Sequence, residues 1–105
     1  MRSQRDAELR SLALHRAVAA HVERPGVLGE AQERVERWLT DGSVPRPWAE
    51  AWRRLLTGPL DELCARLEED SEEMIDLRQC SPFADALSPR ERWQVLVDSR
   101  SDEAR

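Results

Sequence analysis

The stretch "LGEAQERVERWLTDG", Leu28 to Gly42, decides how this chain is read. Leu28, Ala31, Val35, Trp38 and Leu39 recur at i, i+3, i+7, i+10 and i+11, which lays one apolar stripe along an α-helix. Charged residues fill the other faces, and Asp41-Gly42 supplies a left-handed stop. Upstream, from about Ser3 to Arg24, Leu9, Leu12 and Ala13, then Leu14, Val18 and Val22, also recur at helical spacing until Arg24-Pro25-Gly26 breaks the run. These residues suggest two faces, which leaves the packing of that first helix open.

Downstream, "GSVPRPW" (Gly42 to Trp48) reads as a short rigid connector, because each proline holds the residue before it extended. A third helix is expected from about Pro47 to Leu56, with Trp48, Trp52, Leu55 and Leu56 on one face. Gly58 ends it and Pro59 opens a fourth, whose stripe is Leu60, Leu63, Cys64 and Leu67. Either Asp70 or Ser71 caps a fifth helix carrying Met74, Ile75 and Leu77. No strand-like alternation, repeat or flexible linker is present. The pattern predicts an all-α fold, a single small domain of five to six short helices over residues 1–98, with 99–105 a polar, disordered tail.

The most informative segment is "LRQCSPFADALSPRERW", residues 77 to 93, which breaks twice at Ser-Pro. Pro82 has no amide hydrogen and disfavours helix at Ser81, so the fifth helix should end near Cys80. The second Ser-Pro does the opposite: Ser88 as N-cap, Pro89 at the first helical position and Glu91 at the third form a capping-box signature. The last helix then presents Trp93, Leu96 and Val97. Between the breaks, "FADAL" is a bend holding Phe83 and Leu87, either as a presentation loop or as plugs for the domain's own core.

The 105 residues suffice for one domain with a thin core, since charged residues reach 35%. All sixteen basic residues are arginine, and lysine, asparagine and tyrosine are absent, which reads first as genomic GC bias and second as arginine-mediated contacts. No apolar run approaches the length of a membrane span, and "MRSQRDAELR" is too polar for a secretory signal. A cytoplasmic location follows as the expectation, with Cys64 and Cys80 reduced. His15 and His21, six residues apart, point to opposite sides of a helix and read as ordinary surface or partly packed histidines rather than metal ligands. No nucleophile motif, phosphate loop or zinc motif occurs, so no catalytic, cofactor or metal residue is assigned and the chain is expected not to be an enzyme.

Charge is unevenly placed. Residues 61 to 76 hold Asp61, Glu62, Glu68, Glu69, Asp70, Glu72, Glu73 and Asp76 against Arg66 alone, so this segment carries −7 of a net −5 and the remainder carries +2. It predicts a long acidic face able to meet a basic cleft, or else a solvated surface. "WAEAWRRLLTGPLDELCARL" (48–67) has the layout of a helix-turn-helix, but its second helix is acidic where DNA would require basic or amide side chains. DNA binding therefore stands as a disfavoured alternative resting on Arg2, Arg5, Arg10 and Arg16. A homodimer or scaffold subunit joined through the tryptophan-bearing helices is a third reading.

From Trp38 through "WAEAWRRLLTGPLDELCARL" to "LRQCSPFADALSPRERW", about two-thirds of the chain resembles small bacterial proteins encoded beside nucleotidyltransferase-like proteins and regarded as antitoxins of toxin–antitoxin pairs. Its most specific elements are Leu77-Arg78-Gln79, Ser81-Pro82-Phe83-Ala84, Leu87-Ser88-Pro89 and Glu91-Arg92-Trp93. Asp85 departs from the pattern, which has glycine there. The resemblance implies a protein that docks on a cognate toxin and occludes its basic nucleotide pocket. Arg78, Phe83, Leu87, Arg90 and Trp93 would form the anchor set, and Asp61, Glu62, Glu69, Asp70 and Glu73 the electrostatic counterpart.

Overall fold

The apolar stripes of the sequence close on one another in a computed structural model that describes residues 4–103, with side chains described for 4–99. Among the described residues there are six helices and no strand: α1 (Gln4–Ala20), α2 (Val27–Asp41), α3 (Arg46–Thr57), α4 (Leu60–Leu67), α5 (Glu72–Arg78) and α6 (Pro89–Glu103). The fold is all-α.

The helix ends follow from local chemistry. Gly26 and Gly42 bracket α2 with φ of 87° and 73°, the left-handed region that glycine enters without a Cβ penalty. The Gly42 N–H donates to Trp38 O at 2.9 Å, which makes Asp41-Gly42 the expected stop. Gly58 works differently. Its φ of −89° is open to any residue, but an added Cβ would stand 3.2 Å from Arg54 O, so close approach selects glycine there. Ser71 rather than Asp70 caps α5, its Oγ accepting the Met74 N–H at 3.2 Å. Ser88 and Glu91 form the reciprocal capping box of α6: Ser88 Oγ accepts from Glu91 N–H at 3.1 Å, and Ser88 N–H donates to the Glu91 carboxylate at 2.9 Å.

The boundary expected at residue 98 needs correction. The last helix runs on to Glu103, so residues 99–103 are helical rather than a disordered tail, and Ala104 and Arg105 lie outside the described residues. After Pro89 the sequence has no proline or glycine to stop the helix, and Gln94 Nε2 donates to Asp98 at 3.0 Å along it.

The core is one cluster. Val18, Val22, Val27, Ala31, Val35, Trp52, Leu56, Leu63, Leu67, Met74, Leu77 and Phe83 are buried together. The α2–α3 hairpin forms the most extensive helix pair, while α1 packs against α4, α5 and α6. Trp52 is the largest buried side chain; its Nε1–H donates to Leu77 O at 3.1 Å, and its ring meets Phe83 edge-on at 5.9 Å. The two faces of α1 are both used. Leu12, His15 and Val18 are buried, with Val22 buried in the turn just after the helix, and Leu14 borders a groove beside Leu96 of α6.

Candidate functional site

The segment between the two Ser-Pro breaks is held from two sides. Arg34 on α2 donates from Nη1 to Pro82 O at 3.2 Å and from Nη2 to Asp85 at 2.8 Å. From α1, His15 reaches Ser81. Because Ser11 O can only accept, the 2.7 Å contact to His15 Nδ1 places the ring hydrogen there, and Nε2 accepts the Ser81 hydroxyl at 2.7 Å. Ser81 Oγ in turn accepts the Phe83 N–H at 3.2 Å, and Ala86 N–H donates to Phe83 O at 3.2 Å to close the bend. Asp85 takes the position expected of glycine without strain, since no described non-glycine residue has positive φ.

These bonds settle what the bend presents, and correct part of the expectation. Phe83 is 6% exposed and Arg78 4% exposed. Both are interior residues, so neither is a surface anchor in this conformation. Phe83 plugs the core against Trp52. Arg78 Nη1 donates to Glu69 O at 2.7 Å and Leu67 O at 3.3 Å, stitching α5 to the end of α4, while its Nε and Nη2 are buried without a hydrogen-bond partner. Burial pulls this guanidinium below the usual arginine range, although it stays charged.

Leu87 is half-buried and shares with Arg78 and Phe83 the wall of an open groove of 510 Å³. The groove lies between α1, the 79–87 bend and α6; Arg10, Ser11, Leu14 and His15 line it from α1, and Arg92 and Leu96 from α6. Arg90 and Trp93 stand exposed on α6, three residues apart on one face. Trp93 is 63% exposed and is the large hydrophobic side chain most open to solvent among the described residues.

None of the five acidic candidates lines this groove, and the expected long acidic face is divided. Asp70 is tied to Arg5 at 2.6 Å, and that guanidinium holds its carboxyl below the usual range. Glu69 and Glu73 both bind Arg66. Glu62 borders a separate recess between α3, α4 and α5 beside Arg54 and Arg66. Asp61 instead lies with Glu68 and Glu23 around Cys64. Asp61, Glu62, Glu68, Glu72 and Asp76 form no ion pair among the described residues. The arginines invoked for DNA binding are also dispersed: Arg5 is committed to Asp70 and Glu8, Arg10 lines the groove, and Arg2 lies outside the described residues.

His15 is the residue that sequence reasoning missed. It is 6% exposed, and burial above all, reinforced by the positive charges of Arg78 and Arg92, pushes its pKa down to about 4. The signal was its position between Leu12 and Val18, three residues from each, in line with the buried stripe. Both cysteines are free thiols whose pKa burial pushes up, which leaves neither activated as a nucleophile. Among the described residues no group of three or more His, Cys, Asp or Glu side chains is placed to hold a metal ion. No described helix is long and apolar enough to cross a membrane.

No protein-family model matches this chain, and no curated protein or solved structure does.

Proposed function

We propose that this chain acts by binding rather than catalysis, as the cytoplasmic antitoxin partner of a nucleotidyltransferase-type toxin. The observation that carries the reading is the 63% exposure of Trp93 near the start of α6. A side chain of this size gains nothing from water, and Trp and Arg are the residues most enriched at interface hot spots. Arg90 is exposed one turn before it, and the Ser88–Glu91 capping box fixes the helix that carries both. A fixed helix loses little freedom on docking, which leaves more of the contact energy as affinity.

The resemblance over residues 77–93 supplies the identity of the partner, and Leu87, Arg90 and Trp93 are the members of its anchor set that reach the surface. Arg78 and Phe83 support them from inside. Of the acidic residues, Asp61 and Glu62 are exposed without an ion pair among the described residues and suit a basic nucleotide pocket, whereas Glu69, Asp70 and Glu73 would first have to leave their arginines. Occlusion of that pocket is the proposed mode of inhibition.

Co-expression of the chain with the product of the adjacent gene, tagging one of the two and weighing the eluate by native mass spectrometry, tests the reading. The expected result is a stoichiometric complex and a transferase activity that falls when this chain is added. A lone monomer, or a homodimer without the neighbour, would overturn it.

A further inference from the structure

Six arginines, Arg5, Arg24, Arg34, Arg46, Arg53 and Arg66, have carboxylate partners. Arg10, Arg16, Arg37, Arg54, Arg78, Arg90 and Arg92 have none among the described residues, and of these Arg10, Arg78 and Arg92 line the groove between α1, the 79–87 bend and α6. In a chain with 21 acidic side chains, not one Asp or Glu lines that groove. Arg78 is nine-tenths buried at its wall, with Nη1 donating to Leu67 O and Glu69 O, Nε and Nη2 unpartnered, and the carboxylates of Asp70, Glu69 and Glu8 acting on its charge without a direct ion pair. The two buried nitrogens are costly to leave without a hydrogen-bond partner, so this charge is held in place at the groove wall rather than free to turn outward.

We propose that this groove binds an organic phosphate, with Arg10 and Arg92 gripping the phosphate, Arg78 supplying a fixed charge behind them, and the apolar wall taking the body of the ligand. Its 510 Å³ lies within the roughly 300–1,000 Å³ of small-molecule sites. Leu14, Val18, Phe83, Leu87 and Leu96 give it an apolar side, and Ser11 and Gln79 add polar groups at the rim. A phosphate monoester carries about 1.5 to 2 negative charges near neutral pH and three acceptor oxygens, which suits a groove lined by several guanidinium forks better than the single charge of a carboxylate does. Neutral His15 beside these arginines accepts the Ser81 hydroxyl and adds no charge of its own. None of this depends on the antitoxin reading.

The test uses the isolated chain and phenyl phosphate as probe, titrated by calorimetry at constant ionic strength, with sulfate and phenol as comparators. Saturable 1:1 binding is expected, tighter than sulfate or phenol. Arg10→Gln and Arg92→Gln, both away from the core, should each weaken it by about fivefold or more, whereas Arg37→Gln, a solvent-facing arginine of α2 outside the groove, should leave it unchanged. Absence of saturable binding, an equal loss in Arg37→Gln, or full binding by the Arg10→Gln/Arg92→Gln double variant with its helicity intact would overturn the proposal. If phenyl phosphate fails to bind while that double variant releases the co-purifying neighbour, the groove belongs to the protein interface and the phosphate reading falls.

Discussion

Trp52 and Trp93 are one residue type put to opposite uses. Trp52 sits on α3 in the centre of the core, 0% exposed, its indole hydrogen satisfied by Leu77 O of α5 and its ring T-shaped against Phe83. Trp93 stands 63% exposed on α6, a helix that packs chiefly on α1 and contributes no fully buried side chain among the described residues. The first region follows from burying apolar area in a chain that has little of it. The second gains almost nothing from folding. A helix whose order rests on its capping box, an ion pair from Arg24 to Glu91 at 2.7 Å and a seam along α1 is the part of the molecule left free for other work.

The largest effect should therefore come from Trp52. Trp52→Ala removes the central side chain, takes one donor from Leu77 O, which keeps the Cys80 N–H, and takes away Phe83's partner, and a cost of about 4 kcal/mol is expected by urea unfolding. The loss of helicity should include α6, because the bend leading into it is anchored on the same core through Phe83. A Trp52→Ala protein that unfolds at nearly the wild-type urea concentration would show that stability is not concentrated there.

The seam between α1 and the bend gives the next effect, through pH. His15 is held neutral in the fold with a pKa of about 4 against 6.5 for a free imidazole, so the unfolded chain takes up a proton first. Stability is full above about pH 6.5 and falls as the pH drops toward 4, by on the order of 3 kcal/mol in total. The charged groups facing the ring, Arg78 and Arg92, oppose its protonation and act in the same direction. Carboxylates held low, Glu91 at about 2 and Asp70 below its usual value, lose their contribution only as the pH falls through their own lower range. Urea titrations at pH 4.5, 5.5 and 7 should show this fall in the wild type and a nearly flat line for His15→Gln. Parallel curves for the two proteins would mean that the His15–Ser81 bond does not hold the bend to α1.

The two regions were also unequally legible in the sequence. The stop at Asp41-Gly42 and the Ser88–Glu91 box are short-range devices whose atoms lie within a few residues, and their geometry follows from the letters alone. Phe83 and Arg78 could not be placed that way. Whether an apolar residue in a bend points inward depends on Trp52, 31 positions earlier, and on a clamp from Arg34. The acidic run showed the same limit: Asp70 is neutralised by Arg5, 65 residues away in the chain. His15 escaped because a polar letter interrupts an apolar stripe, and only a partner such as Ser81 makes its burial affordable. Local signals marked where helices end; which residues remained for function was decided by contacts between distant segments.

The smallest effect on folding should come from Trp93, and there the comparison is most exposed to failure. Trp93→Ala removes a side chain that is already mostly in water and sits five residues beyond the α6 cap Ser88, so urea unfolding should move by no more than about 0.5 kcal/mol. Alanine is also the better helix former, which works against any loss. If the exposed ring serves docking, the same variant should weaken the complex with the neighbouring gene product by about 2 kcal/mol or more, roughly thirtyfold in Kd at 25 °C. Binding lost with folding kept separates the two tryptophans as the structure separates them. A stability loss approaching that of Trp52→Ala would mean instead that α6 closes over Trp93 in solution, and the case for that face as a docking surface would fail.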